Sequence, residues 1–124
     1  MDRLGERELD ILQELWRRGT ATVAEVHQGL LAQQADLAYN TVQTMLNRLE
    51  AKGVVKRDTG DRAHRYRAVL KEKAVVGGAI QRLAGRFFGG SAEALAVQLV
   101  EDALDGQQLA RLERLLAERR KARR

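Results

Sequence analysis

Not one of the 124 residues is proline. Proline locks φ, removes a backbone donor and interrupts helix interiors. A chain without it, and rich in Ala, Leu, Glu and Arg, is free to be helical along most of its length. The apolar spacing agrees with a mainly α fold. Over residues 6–18, Leu9, Leu12, Leu15 and Trp16 fall on one stripe with Ile11 at its edge, and Gly19 follows Arg17 and Arg18 as a helix stop. Trp16 is expected in the core. Thr22-Val-Ala-Glu25 has the form of a capping box, so a second helix starts at Thr22 and runs to about Gln33, with Val23, Val26, Leu30 and Leu31 as its apolar side. After a short connection, a third helix covers Tyr39–Lys52. Val42, Met45, Leu46 and Leu49 share one face; Asn40, Gln43, Thr44 and Asn47 share the opposite one, flanked by Thr41 and Arg48. Gly53 is placed to end it. Tyr39 and Tyr66 are expected to be core or backbone-anchoring residues.

Past Gly53 the period shortens. Val54–Arg57 and His64–Val69 read as two short strands, joined by a turn in which Thr59-Gly60-Asp61 supplies the chemistry. The helical pattern then resumes over Lys71–Phe88, weakened by Gly77, Gly78 and Gly85 and broken by Gly89-Gly90. Ser91 caps a further helix to about Leu104. Asp105-Gly-Gln-Gln108 resembles another capping box and opens a last helix with Leu109, Leu112, Leu115 and Leu116 on one stripe. The tail Arg119–Arg124 reads as a frayed, solvated terminus.

Composition closes off several functions. There is no cysteine, which excludes disulfide scaffolds, Cys-based zinc sites and Cys nucleophiles. His27 and His64 are the only histidines and have no ligand at metal spacing, so neither a metal nor another cofactor is expected. Ser91 is the only serine, and no Gly-rich phosphate loop precedes a helix, so no catalytic residue is assigned and an enzyme is not expected. No apolar run approaches membrane-spanning length and the N-terminus lacks an apolar signal core, so the expected location is the cytoplasm, with no membrane partner.

The formal net charge of +5 is unevenly placed. Residues 1–36 carry 4 basic and 7 acidic side chains, residues 37–73 carry 9 and 4, and residues 74–124 carry 9 and 6. Lys56, Arg57, Arg62, Arg65 and Arg67 concentrate the positive charge in the hairpin. A clustered basic segment is what a polyanion binder needs, although a solvated surface produces the same count. The pattern around it decides. Three helices, the second and third joined by a tight turn, followed at once by a basic two-stranded hairpin, make a winged helix-turn-helix. An α-helix fits the major groove of B-DNA, and the amides and hydroxyls on the exposed face of the third helix suit hydrogen bonding to base edges.

Tyr39-Asn-Thr-Val-Gln-Thr-Met-Leu-Asn-Arg-Leu-Glu-Ala-Lys-Gly53 resembles the recognition-helix signature of the penicillinase and methicillin-resistance repressor family. Leu9-Asp-Ile-Leu-Gln-Glu-Leu-Trp16 resembles that family's first helix, Thr22-Val-Ala-Glu-Val26 the start of its second, and Arg62-Ala-His-Arg-Tyr66 the second half of its wing. Phe88-Gly-Gly-Ser91, followed by a Leu-rich helix, resembles its dimerisation region. The resemblance spans nearly the whole chain. It implies a winged helix-turn-helix domain over residues 1–70 and a helical dimerisation region over 71–124. It implies a homodimeric repressor on an inverted-repeat operator in double-stranded DNA. It places the reading side chains at Asn40, Thr41, Gln43, Thr44 and Arg48, and the wing contacts at Arg62, His64 and Arg65. The leftover apolar stripes of the C-terminal helices assign dimerisation to Leu83, Phe87, Leu95, Leu99, Leu112 and Leu115.

Two departures bear on regulation. Several members of that family are inactivated when a sensor-linked protease cuts an Asn-Phe bond; a protease of that kind is an implied partner, but the matching position here reads Gln98-Leu99. The cysteine cluster of copper-responsive relatives has no counterpart. The alternative function is a helical interaction module whose basic hairpin holds an acidic protein.

Overall fold

The computed structural model describes residues 4–60 and 64–123. Its elements follow the order α1 (Glu6–Arg18), α2 (Val23–Ala32), α3 (Tyr39–Ala51), β1 (Val55–Asp58), β2 (Arg65–Ala68), α4 (Glu72–Phe87), α5 (Ala92–Asp102) and α6 (Gly106–Ala122). The chain divides into two compact units, Met1–Val76 and Gly77–Arg124.

In the first unit several helix ends have a local cause. Glu8 reaches back to accept from the Gly5 amide at 2.9 Å. Glu6 and Glu8 lie in the first turn of α1 and Arg17 and Arg18 in its last, the arrangement the helix dipole favours. Gly19, at φ 83°, donates to the Leu15 carbonyl and closes the helix. At α2 the expected capping box is present: Thr22 Oγ1 accepts from the Glu25 amide at 3.2 Å, and Glu25 Oε1 accepts from the Thr22 amide at 2.9 Å. Gly53, at φ 78°, lets the chain leave α3 into β1.

The apolar faces of α1, α2 and α3 meet in one core. Ile11, Leu12, Leu15, Val26, Leu30, Val42, Leu46 and Leu49 are buried, and the hairpin adds Val55 and Tyr66. Trp16 is half-buried against this cluster and its Nε1 donates to the Leu70 carbonyl at 2.9 Å. Two residues depart from expectation. Leu31 is exposed, because Val23, Val26 and Leu30 hold the inward stripe of α2 with Gly29 between them. Tyr39 is 44% exposed rather than core. Its ring meets the edge of His27, with centroids 5.8 Å apart, while His27 Nε2 bonds the Leu37 carbonyl at 2.9 Å.

The two strands pair antiparallel, with Val55 opposite Ala68, Lys56 opposite Arg67, Arg57 opposite Tyr66 and Asp58 opposite Arg65. β1 has the predicted length but begins one residue later, and β2 is shorter than the predicted His64–Val69 by one residue at each end. Tyr66 also pairs with Ala21, its amide donating at 2.8 Å and its carbonyl accepting at 3.0 Å, so the hairpin is anchored to the α1–α2 connection.

α4, which begins in the first unit and carries most of its length in the second, runs unbroken past Gly77, Gly78 and Gly85 and ends before Gly89 and Gly90, both at positive φ. Ser91 Oγ caps α5 through the Ala94 amide at 3.0 Å. Asp105 and Gln108 form the predicted reciprocal box on α6, at 2.8 and 2.9 Å. α5 stops at Asp102, short of Leu104. Where the sequence predicts a frayed tail from Arg119, α6 stays helical through Ala122, with Arg119, Arg120 and Lys121 exposed in its last turn, where the dipole favours cations. Among the described residues of this unit only Ala84 is buried.

Candidate nucleic-acid interface

The packing of α3 fixes which side it shows to solvent. With Val42, Leu46 and Leu49 buried, Asn40, Thr41, Gln43, Thr44, Asn47 and Arg48 are all exposed. Thr44 Oγ1 donates to the Asn40 carbonyl at 2.9 Å. Its hydroxyl hydrogen is therefore spent within the helix, which leaves an oxygen lone pair and the methyl group to offer a partner. Asn47 Oδ1 accepts from the Tyr66 hydroxyl at 3.3 Å. Sequence reasoning put Asn47 on this face but gave it no role.

Beside this face, Thr22, Val23, Ala24, Tyr39, Gln43, His64 and Tyr66 line an open cleft of about 290 Å³. It joins the start of α2, the front of α3 and the root of the hairpin. Backbone amides at a helix N-terminus favour an anion.

The hairpin cations divide into two sets. Arg65 turns back onto the α1–α2 connection and the start of α2: its Nε and Nη2 donate to Thr20 Oγ1 at 3.1 Å and Thr20 O at 3.3 Å, and Nη2 pairs with Glu25 Oε1 at 3.2 Å. Arg57 pairs with Glu50 at 3.4 Å and also donates to His64 Nδ1 at 3.4 Å. Lys56 and Arg67 lie directly opposite one another and exposed, with no acidic partner within ion-pair distance among the described residues. Like charges so placed repel, and an anion between them relieves the repulsion. The alternation set by buried Val55 and Tyr66 was the signal that could have singled them out. Arg62 lies outside the described residues.

Glu25 is held below the ordinary carboxylate range chiefly by the Thr22 amide, with help from the positive charge of Arg65. The same contacts thus cap α2 and hold the hairpin beside it. No group of three or more His, Cys, Asp or Glu side chains among the described residues could hold a metal ion. No helix among them is long and apolar enough to cross a membrane.

Three packed helices with an exposed amide- and hydroxyl-rich third helix, flanked by a cationic hairpin, define a winged-helix transcriptional regulator. The chain belongs to the penicillinase repressor family, whose sequence pattern matches residues 4–118. It is 39% identical over 120 residues to the transcriptional regulator BlaI of Mycobacterium tuberculosis, covering 95% of this chain and 86% of that one. It is 24% identical over 117 residues to the penicillinase repressor of Bacillus licheniformis, covering 94% and 91%. Among solved structures it resembles the transcriptional regulator Tm0710 of Thermotoga maritima, with a TM-score of 0.56 and 24% identity over 96% of this chain and 76% of the other. It also resembles a mutant MarR of E. coli complexed with operator DNA, with a TM-score of 0.51 and 21% identity over 93% and 74%. These two likenesses concern the fold. The protein is a DNA-binding transcriptional repressor and not an enzyme.

Proposed function

We propose that the protein represses transcription as a homodimer seated on an inverted-repeat operator, with one α3 in the major groove of each half-site. The observation that carries this reading is the outward face of α3, where amides and hydroxyls rather than paired charges stand over a buried apolar stripe. Asn40, Thr41, Gln43 and Thr44 read base edges, and Arg48 meets a phosphate. The cleft at the start of α2 receives a second phosphate, beside His64. Lys56 and Arg67 add hairpin cations to the backbone contacts, as Arg62 does in the sequence reading. Arg65, already paired with Glu25, acts by holding the hairpin in place.

A second copy is the natural cover for the helices that follow. A unit of α-helices with Ala84 as its single buried described residue lacks a core of its own. Leu83, Phe87, Leu99, Leu112 and Leu115 are exposed, and Leu95 is half-buried. Two-fold pairing through these side chains matches palindromic DNA with half-site centres roughly 34–36 Å apart. The working location is the cytoplasm, where the chromosome of a bacterial repressor lies. A sensor-linked protease of the kind that cuts an Asn-Phe bond in several relatives would meet Gln98-Leu99 instead, and α5 is helical there, so cutting would require local opening.

The test is recovery of duplex fragments from the source genome by the purified chain at near-physiological salt. Enrichment of a few fragments sharing one inverted repeat supports the proposal. Displacement of all DNA by an acidic protein, with no fragment enriched, supports the interaction-module reading instead.

A further inference from the structure

Asn47 stands on the outward face of α3, in line with the proposed reading side chains. Of Asn40, Thr41, Gln43, Thr44, Asn47 and Arg48 it is the one with a hydrogen bond to a side chain of another element among the described residues: the Tyr66 hydroxyl donates to its Oδ1 at 3.3 Å. Tyr66 is well fixed. It is 2% exposed, its backbone pairs with Ala21 through both amide and carbonyl, and it lies opposite Arg57 in the hairpin ladder. A ring held in this way presents its hydroxyl at one place.

A primary amide has an acceptor end and a donor end. With one lone pair of Oδ1 taken by Tyr66, the orientation of the amide is set, and Nδ2 keeps both its N–H donors to offer. We propose that Asn47 is a specificity-determining residue of the reading face, and that Tyr66 is the positioning residue that orients its amide to present the Nδ2 donors. A donor pair suits an acceptor edge in the major groove, such as purine N7, guanine O6 or thymine O4, and is mismatched with the amino group of cytosine. The root of the wing thereby sets part of what the recognition helix can read. The inference rests on the operator-binding reading of α3.

The test uses the full chain and its recovered operator. Dissociation constants for the operator and a scrambled duplex are measured across a salt series for the wild type, Tyr66→Phe, Asn47→Ala and the double variant. Phe keeps the ring in the core and removes only the hydroxyl. Tyr66→Phe is expected to lower the operator-to-scrambled preference by about five- to tenfold, the scale of one hydrogen bond, with the salt slope unchanged. Asn47→Ala is expected to lower it at least as far, and Tyr66→Phe to add nothing in the Asn47→Ala background. An unchanged preference in Tyr66→Phe overturns the inference, as does a loss that persists in full without Asn47. A wild type that prefers no duplex removes the reading of α3 and the inference with it, a result distinct from failure of the variants alone. Should Tyr66→Phe not fold, Asn47→Asp serves: it keeps an acceptor for Tyr66 and puts a carboxylate where the donors were. Loss of preference with a wild-type melting curve is the expected result; retained preference overturns the proposal.

Discussion

A Cβ placed on Gly29 would stand 2.3 Å from Glu14 Oε2 and 2.5 Å from its Cδ. The bare backbone of α2 is what admits the carboxylate of α1. Glu14 is fully buried, yet its oxygens are satisfied: Gln33 Nε2 donates to Oε1 at 2.7 Å, Arg18 donates to Oε2 at 3.2 Å, and Arg17 reaches the same oxygen. A buried charge with that many donors is tolerable; the same charge displaced from them is not.

Gly29→Ala is therefore expected to destabilise the protein even though alanine favours helices by about 1 kcal/mol. The clash outweighs that gain, because relieving it means pulling Glu14 off its donors or opening the α1–α2 packing. A net loss of about 2–4 kcal/mol follows, seen as a fall in Tm of about 10–20 °C. A Tm equal to or above wild type would show that Glu14 swings clear at little cost.

The Thr44 substitutions separate hydroxyl from methyl. Its hydroxyl hydrogen is held by the Asn40 carbonyl, so the methyl is the larger part of what it has left to offer a base. Thr44→Ala is expected to weaken operator binding by about 1–3 kcal/mol with little effect on a scrambled duplex. Thr44→Val keeps a methyl there and is expected to recover most of that loss. Equal losses in the two variants, measured by fluorescence anisotropy, would assign the contact to the hydroxyl oxygen.

Wing cations should differ according to their partners. Lys56→Ala and Arg67→Ala are each expected to lower the slope of log K against log salt by about 1, as loss of one phosphate contact does. Arg65→Ala should change that slope much less, because Glu25 already balances its charge, while weakening binding to all duplexes by freeing the hairpin. Equal slope changes for Arg65 and Lys56 would mean that Arg65 leaves Glu25 on binding.

Acid should loosen the first unit through Glu8. Its carboxyl is held below the ordinary range first by the Gly5 amide and then by Lys52, which lies 2.9 Å away across the fold. A depressed carboxyl stabilises the fold above its unfolded pKa, and that contribution disappears as pH falls through the folded value. Stability is thus expected to decline from about pH 4.5 downward, and Glu8→Gln to show a lower Tm at neutral pH with a shallower acid decline. Glu25 carries the same sign. Parallel Tm curves for wild type and Glu8→Gln would contradict this assignment.

The dimer reading has its own test in Phe87, which is 68% exposed in the single chain. Phe87→Glu is expected to shift sedimentation equilibrium from dimer toward monomer and to weaken operator binding. A dimer undisturbed by both Phe87→Glu and Leu99→Glu would place the interface elsewhere.

Much of this molecule was legible in its sequence, because local signals carried it. The reciprocal caps at Thr22–Glu25 and Asp105–Gln108, the Gly53 stop and the inward stripe of α3 all depend on neighbours within a few residues. What was hidden depends on partners far along the chain. Periodicity put Glu14 in the first helix but could not show that Gly29 makes room for it. The basic hairpin was plain as a count, whereas the division between Arg65, paired with Glu25, and Lys56, with no acidic partner among the described residues, required the position of Glu25. Tyr39 was misplaced because its contact is with His27 and not with the apolar faces.

The most direct test of the account is fluorescence anisotropy of the purified chain on labelled duplex from its own upstream region. A scrambled duplex is the control, with salt varied over about 50–200 mM, where phosphate contacts govern the slope. The account predicts a preference of a hundredfold or more for the native duplex, saturating at two chains per duplex. Equal binding to both duplexes, lost steeply with salt, or no binding even at low salt, would contradict it.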